Sequence, residues 1–145
     1  MKKFISILII IIALIFTGMQ NANAQATVYI YWAPEYCDEC PSPGDWVWRV
    51  DIEVEDLCGE EGYTIYRDNQ IIEPPADDAT FVLGEFCDNQ SLEECYMVVA
   101  ALKKICPNGY GGYTIVCSGK NPGINKSCPW LMNSGNTLIL PITFQ

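Results

Sequence analysis

The eight cysteines are the residues of this chain whose spacing could do chemistry. They are Cys37, Cys40, Cys58, Cys87, Cys95, Cys106, Cys117 and Cys128. The pair Cys37-x-x-Cys40 has the spacing of dithiol redox centres and of zinc ligands. The sequence contains no histidine, which excludes Ser-His-Asp and Cys-His catalysis and His-containing zinc sites. An even number of cysteines in an exported chain predicts four structural disulfides instead.

The first 24 residues are typical of an export signal. Lys2 and Lys3 precede an apolar run at 4–16, and Ala22-Asn23-Ala24 has the small-x-small pattern of a cleavage site. We therefore predict a signal peptide at 1–24 and a single domain at 25–145. The predicted location is secreted or extracellular, which includes the periplasm and the cell surface, and no membrane insertion is expected after cleavage.

The exported part is strongly acidic. Removing Lys2 and Lys3 leaves six basic residues against 18 acidic ones, a net charge of −12. Such a surface repels nucleic-acid phosphates and anionic lipids, so neither is a predicted partner, and a cation or a basic partner is favoured. The acidic pair Asp77-Asp78 and the run 51–56 lack the Asp-x-Asp-x-Asp-Gly spacing of a calcium loop. We accordingly predict no metal and no cofactor.

Alternating side chains predict a β protein. Between 45 and 56 the residues Trp46, Trp48, Val50, Ile52 and Val54 share one face, and Arg49, Asp51, Glu53 and Glu55 share the other. This split is typical of a strand with one buried and one solvated face. Further strands are predicted at 26–32, 79–86, 96–105, 113–117 and 137–144. Residues 63–67 and 70–72 are predicted to be the two arms of a hairpin that turns at Asp68-Asn69.

The hairpin at 63–72, the alternating strand at 45–56 and the spacing Tyr96-x-Val98-x-Ala100 resemble fibronectin type III domains over about 45–117. In this resemblance 45–56 is the second strand and Tyr96 lies in the sixth. The family often carries a tryptophan near the end of its second strand, whereas Trp46 and Trp48 come early here. The resemblance implies an all-β antiparallel sandwich, immunoglobulin-like, to which 26–32 and 137–144 add edge strands that could pair with each other.

The same resemblance implies part of the disulfide pairing. The loops after the second and sixth strands of such a sandwich lie at one end, which implies the bond Cys58–Cys106. Cys87 and Cys95 flank one short loop at the opposite end and are expected to pair. Cys37, Cys40, Cys117 and Cys128 would then pair among themselves, in an order that stays open.

By analogy with this fold we predict a non-catalytic module for binding, adhesion or structure. Its partner would be a protein or carbohydrate at a cell surface, or another copy joined through edge strands. The loop aromatics Tyr36, Tyr110 and Trp130 are the candidate binding residues.

Two alternatives stay open. One is a secreted inhibitor or effector that acts through a loop. The other is a thiol–disulfide oxidoreductase that uses Cys37 and Cys40, because Trp32-Ala33-Pro34 ahead of Cys37 resembles the thioredoxin active site. The negative charges of Asp38 and Glu39 oppose thiolate formation and count against this reading.

Overall fold

A computed structural model of the chain describes residues 25–59, 61–87 and 92–145. The predicted signal peptide at 1–24 lies outside the described residues. The strands are β1 (Thr27–Tyr31), β2 (Val47–Asp56), β3 (Tyr63–Ile72), β4 (Asp78–Val82), β5 (Tyr96–Pro107), β6 (Tyr113–Lys120), β7 (Ile124–Lys126), β8 (Thr137–Pro141) and β9 (Thr143–Phe144). A 3-10 turn at Pro34–Tyr36 and a short helix, α1 (Cys128–Leu131), complete the elements. Within the described ranges, no helix has the length and apolar character needed to cross a membrane.

The strands form two sheets that face each other across one core. The three-stranded sheet has the order β4-β1-β8, and the six-stranded sheet has the order β3-β2-β5-β6-β9, with β7 also paired to β5. The expected all-antiparallel arrangement is wrong in one place, because β1 and β8 run parallel. The mostly β architecture with two sheets is confirmed.

The core is built by the inward side chains of both sheets. Alternate residues of β2 are buried, and Val50, Ile52 and Val54 are completely inaccessible, as the alternation of this strand predicts. From the facing sheet Val28, Ile30 and Leu140 are also completely buried. The strand predicted at 96–105 is confirmed as β5, in which every second residue is buried.

The predicted hairpin at 63–72 is wrong. Residues 63–72 form one continuous strand, β3, and Asp68 and Asn69 pair with Ile52 and Asp51 of β2 rather than forming a turn. Neither residue has a positive φ. The turn preference of the Asp-Asn pair is overridden because β2 supplies a hydrogen-bonding partner along the whole segment.

The two terminal strands do pair with each other, as predicted, but their positions differ from the expectation. β1 lies in the centre of the three-stranded sheet instead of at its edge, because β4 pairs with its other side. The segment 137–144 is divided between the two sheets. β8 pairs with β1, and after Pro141 the chain crosses over so that β9 pairs with β6.

Three other boundaries differ from the predicted ones. The strand predicted at 79–86 is shorter, as β4, and the one predicted at 113–117 is longer, as β6. The segment 118–136, for which the sequence predicted no strand or helix, contains β7 and α1.

The disulfide pairing corrects the predicted one. The bonds are Cys37–Cys117, Cys40–Cys106, Cys58–Cys95 and Cys87–Cys128. Cys58 cannot reach Cys106, because β2 and β5 are antiparallel neighbours in one sheet and the loops that follow them lie at opposite ends. Cys95 instead precedes β5 beside the end of β2, where Leu57 N–H donates to its carbonyl at 2.8 Å. Only Cys37–Cys117 falls within the group of four expected to pair among themselves.

Candidate functional site

Two of the three predicted binding aromatics lie at the same end of the sheets. Tyr36 follows β1 and Tyr110 follows β5, and β1 and β5 both reach this end where β2 begins. We call the segments 33–46, 73–77, 107–113 and 142–145 the tyrosine end. Tyr36 is 75% exposed and Tyr110 is 96% exposed. Both rings are therefore available to a partner.

The segment that carries Tyr36 is anchored at several points. The 3-10 turn at Pro34–Tyr36 closes with a hydrogen bond from Cys37 N–H to the Pro34 carbonyl at 3.1 Å. The disulfides of Cys37 and Cys40 then attach the segment to β6 and β5. Such cross-links reduce the conformations open to the loop, and so the entropy lost when it binds a partner.

The hairpin that carries Tyr110 is shaped by its own sequence. The side-chain oxygen of Asn108 accepts hydrogen bonds from the N–H groups of Tyr110 (3.0 Å) and Gly112 (3.1 Å). Gly109 and Gly111 have φ values of +78° and +83°, which L residues rarely adopt. This backbone presents Tyr110 at the tip. The two loops also touch, because a Cβ at Gly109 would lie 2.9 Å from Oγ of Ser42.

Two open clefts lie at the tyrosine end, and one of them is lined by Tyr36. The larger, of about 530 Å³, is lined by Ala33, Tyr36 and the C-terminal residues 142–145. The other, of about 350 Å³, lies between the 44–47 segment and the turn at Glu73-Pro74. Phe144 forms part of the first cleft and packs near Trp48, with 6.1 Å between the ring centroids. The clefts give the tyrosine end concave surface beside its exposed rings.

The charge of the tyrosine end is negative. Its exposed acidic side chains are Glu35, Asp38, Glu39, Asp45, Glu73 and Asp77. The basic residue described next to it, Lys104, is buried and donates to the Asp38 carbonyl at 2.7 Å. A partner at this end therefore meets several exposed acidic side chains.

Trp130, the third predicted residue, lies at the opposite end. It belongs to α1, and its neighbour Leu131 accepts a hydrogen bond from Ala26 N–H, which precedes β1. The ring is half-buried, and the Lys126 ammonium lies 4.7 Å from its centroid. Trp130 is thus not brought together with Tyr36 and Tyr110.

The geometry of the cysteines differs from that of a redox centre. Thioredoxin-type chemistry needs two cysteines that bond to each other at the start of a helix. Cys37 and Cys40 are each bonded to a different, distant cysteine, and Cys37 ends the 3-10 turn in extended backbone. All eight sulfurs lie in disulfides. Although Asp56, Cys58 and Cys95 meet within 4.8 Å, the two sulfurs are bonded together and provide no thiolate for a metal.

Two tyrosines away from the exposed loops have altered acidity. Tyr29 O–H donates to the Asp78 carboxylate at 3.0 Å, and this hydrogen bond, with burial and the charge of Asp78, raises the pKa of Tyr29 above its usual value. Burial, and then the Asp68 carboxylate, raise the pKa of Tyr66. In both cases the neutral phenol is the favoured form.

Sequence reasoning found the two exposed tyrosines through their loop contexts, and it missed the cleft beside Tyr36. No local signal marks that cleft, because it forms only when the C-terminal residues cross between the sheets after Pro141. Comparisons of the chain with protein-family models, with curated proteins and with solved structures found no match.

Proposed function

We propose that this chain is an exported, non-catalytic binding module, and that its fold is a variant of the fibronectin type III or immunoglobulin-like sandwich. Support for the fold comes from the strand order. Such domains pair their second and fifth strands in one sheet and place the C′-C-F-G strands in the other. The orders β4-β1 and β3-β2-β5-β6 correspond to these neighbours if β1, and not the strand at 45–56, is the second strand of the family.

This shift by one strand also explains why Trp46 and Trp48 did not match the family's tryptophan near the end of the second strand. With β1 as the second strand, Trp32 directly follows it, and Trp32 is 4% exposed. Tyr96 then begins the sixth strand and is 1% exposed. The place of the family's first strand is taken by β8, which runs parallel to β1 and comes from the C-terminal end of the chain.

The observation that carries the binding proposal is the pair of exposed tyrosines on loops held by disulfides. Aromatic side chains supply much of the binding energy at protein interfaces, because they bury a large area and lose little conformational entropy. The contact of an exposed aromatic ring such as Tyr110 with water is unfavourable, so covering the ring with a partner contributes hydrophobic free energy to binding. Because anchored loops lose less conformational entropy on binding, a larger part of that free energy contributes to the affinity.

The class of partner follows from the charge around the rings. Six exposed acidic residues lie at the same end of the sheets as the rings, so a partner with neutral or basic surface is favoured and an acidic one is repelled. A protein with exposed Lys or Arg side chains fits best, because these cations contact both carboxylates and the faces of tyrosine rings. The four disulfides are typical of extracellular proteins, which agrees with a partner outside the cell.

The test is capture of partners from extracellular fractions of the source organism on the immobilised, oxidised protein. The variants are Tyr36→Ala and Tyr110→Ala, and the control is Leu92→Ala, which removes a side chain that is 82% exposed outside the tyrosine end. We expect each tyrosine variant to weaken binding about tenfold or more, the effect of losing an interface hot spot. The control should bind normally, and added salt should weaken binding because the attraction is partly electrostatic.

A partner retained equally by all three variants would show that the tyrosine end is not the binding surface. Periodate treatment of the captured material identifies a glycan, since oxidation of its diols abolishes binding without cleaving protein. A captured enzyme that loses activity on binding would identify the module as an inhibitor.

A further inference from the structure

The outer edge of β8 has hydrogen-bonding groups that face away from its own sheet. Thr27 N–H donates to the Asn136 carbonyl at 3.0 Å, and Ile142 N–H donates to the Tyr31 carbonyl at 2.9 Å. Because alternate residues of a strand face the same neighbour, Leu138 and Leu140 bond to β1. The N–H and C=O groups of Thr137 and Ile139 therefore point outward, and no strand among the described residues pairs with that side of β8.

Several other strand edges of the described chain are protected, whereas the outer edge of β6 is paired by β9 only at Gly119 and Lys120 and belongs to the more highly charged six-stranded sheet. At the edge of β4, the Thr80 carbonyl accepts a hydrogen bond from Nε2 of Gln70 at 2.8 Å. The edge strand β3 exposes the polar residues Arg67, Asp68 and Asn69, and β9 has only two residues. Charged residues and short strands are the usual means of preventing edge-to-edge association. β8 has the sequence Thr-Leu-Ile-Leu-Pro, without a charge, and its Ile139 side chain is 56% exposed.

The charge distribution favours a second copy at this edge. Six basic residues lie on the six-stranded sheet or on β7, which pairs with it: Arg49, Arg67, Lys103, Lys104, Lys120 and Lys126. The strands of the three-stranded sheet hold one charged residue, Asp78. Copies of a chain with a formal charge of −10 repel each other over most of their surfaces. The three-stranded sheet is a nearly neutral surface on which two copies can approach with little repulsion.

We propose that β8 pairs with β8 of a second copy, antiparallel and about a two-fold axis, so that two three-stranded sheets join into one of six strands. In the register that places the axis at Leu138, Thr137 of each copy faces Ile139 of the other. All four outward groups of each β8 are then used, since Thr137 and Ile139 exchange both N–H···O=C bonds. The axis cannot move to Ile139 without loss, because Pro141 would then face Thr137 and has no N–H to donate.

The side chains agree with this register. Thr137 and Ile139 both project from the outer face of the sheet, so the register places each exposed Ile139 beside a threonine of the partner. On the other side Ile139 neighbours Tyr29, whose ring stacks on Tyr31 with 6.0 Å between centroids. The joined sheet would therefore extend a neutral surface of threonine, tyrosine and aliphatic side chains across both copies. Strand addition of this kind draws its affinity from the main chain and its selectivity from such side-chain neighbours.

The test is sedimentation equilibrium of the oxidised, exported protein over a range of concentrations. We expect the average mass of the wild type to rise to twice that of the monomer. Ile139→Lys, which adds a charge at the edge, should raise the dissociation constant about tenfold or more. Val82→Lys is the matched control, because Val82 is 64% exposed on the same outer face but lies on β4. It should dimerise like the wild type.

A second variant, Thr137→Pro, separates main-chain pairing from side-chain contact. It removes an outward N–H at the first residue of a strand, where proline is tolerated, and should also prevent dimerisation. A wild type that stays monomeric up to about 1 mM, the weak limit of useful affinity, would overturn the proposal. Equal effects of Ile139→Lys and Val82→Lys would also overturn it.

This inference is independent of the tyrosine end, and the two can fail separately. Salt should strengthen the dimer, because it screens the repulsion between two acidic copies, whereas it should weaken binding of a basic partner. Tyr110→Ala should leave the dimer unchanged. Loss of the dimer in that variant, or a dimer that salt dissociates, would place the interface at the tyrosine end and contradict the pairing of β8.

Discussion

The ammonium group of Lys104 lies 4.4 Å from the centroid of the Trp46 ring and donates a hydrogen bond of 2.7 Å to the carbonyl of Asp38. Lys104 occupies an inward position of β5 and is 7% exposed. A buried cation is costly unless polar groups compensate for the lost water. The segment 33–46 supplies that compensation, so Lys104 fastens the loop that carries Tyr36 to the six-stranded sheet.

Lys104→Met should lower the free energy of unfolding by about 2 kcal/mol, because it removes a charge-assisted hydrogen bond and a cation–π contact while keeping an apolar stem. Lys103→Met is the control. Lys103 is the neighbour of Lys104 on β5 but points to the outer face, so its substitution should change stability by no more than about 0.5 kcal/mol. Denaturant unfolding of both variants measures the difference. Equal stability of the two variants would show that Lys104 does not secure the loop.

The four disulfides should be found as Cys37–Cys117, Cys40–Cys106, Cys58–Cys95 and Cys87–Cys128 when the non-reduced protein is digested and its peptides are weighed. Cleavage beside Asp38 or Glu39 separates Cys37 from Cys40, so the first two bonds can be assigned individually. The bond of Cys40 closes a large loop and should contribute about 4 kcal/mol in the chain-entropy description. A peptide joining Cys58 to Cys106 would contradict the antiparallel pairing of β2 with β5.

Gly119→Ala should destabilise the protein by about 1–3 kcal/mol, the usual effect of overpacking. A Cβ at this position would lie 2.7 Å from Cγ2 of Ile142 and 2.9 Å from the Thr143 carbonyl oxygen, so β9 would be pushed away from β6. Gly59→Ala provides the comparison, because nothing lies within 4 Å of a Cβ there. Thermal unfolding of both variants should show a loss for Gly119→Ala alone. An unchanged Gly119→Ala protein would mean that β9 is not packed on β6.

Stability should fall in alkaline solution, partly through Tyr66. Burial raises the pKa of Tyr66 above the value of about 10 in an unfolded chain, so the folded state favours the neutral phenol. This contribution is present in full below pH 10, and it is lost as the pH rises through the raised pKa of the folded state. Tyr66→Phe should therefore show a smaller decline in the unfolding free energy above pH 10 than the wild type.

Tyr110→Phe is the control for that experiment, because the ring of Tyr110 is 96% exposed. Its decline with pH should match that of the wild type. If Tyr66→Phe also follows the wild type, the alkaline loss of stability arises elsewhere in the molecule.

Local patterns were sufficient to find most of the strands. The alternation in 45–56 and the apolar spacing from Tyr96 onward correctly indicated β2 and β5, since side-chain periodicity depends on neighbouring residues alone. The same reasoning failed at Asp68-Asn69, where turn-forming residues lie within a continuous strand. Pairing with β2 outweighs the turn preference of these two residues. A pairing partner that is distant in the chain cannot be predicted from the two residues alone.

The candidate site was also predicted only in part from the sequence. The sequence was enough to identify Tyr36 and Tyr110 as loop aromatics, but Trp130 had the same local context and lies at the other end. Which loops meet depends on the direction of each strand and on its place in a sheet. For the same reason, the choice of Cys95 rather than Cys106 as the partner of Cys58 follows from the pairing of β2 with β5.

By itself the sequence determined the β-rich class of this protein, its even set of bonded cysteines and its acidic charge, because composition and short-range alternation express these properties directly. The tertiary structure alone decided which strands are neighbours, which sulfurs meet and which strand edges stay unpaired. These outcomes depend on contacts between residues tens of positions apart, such as β1 with β8, and no local pattern encodes them.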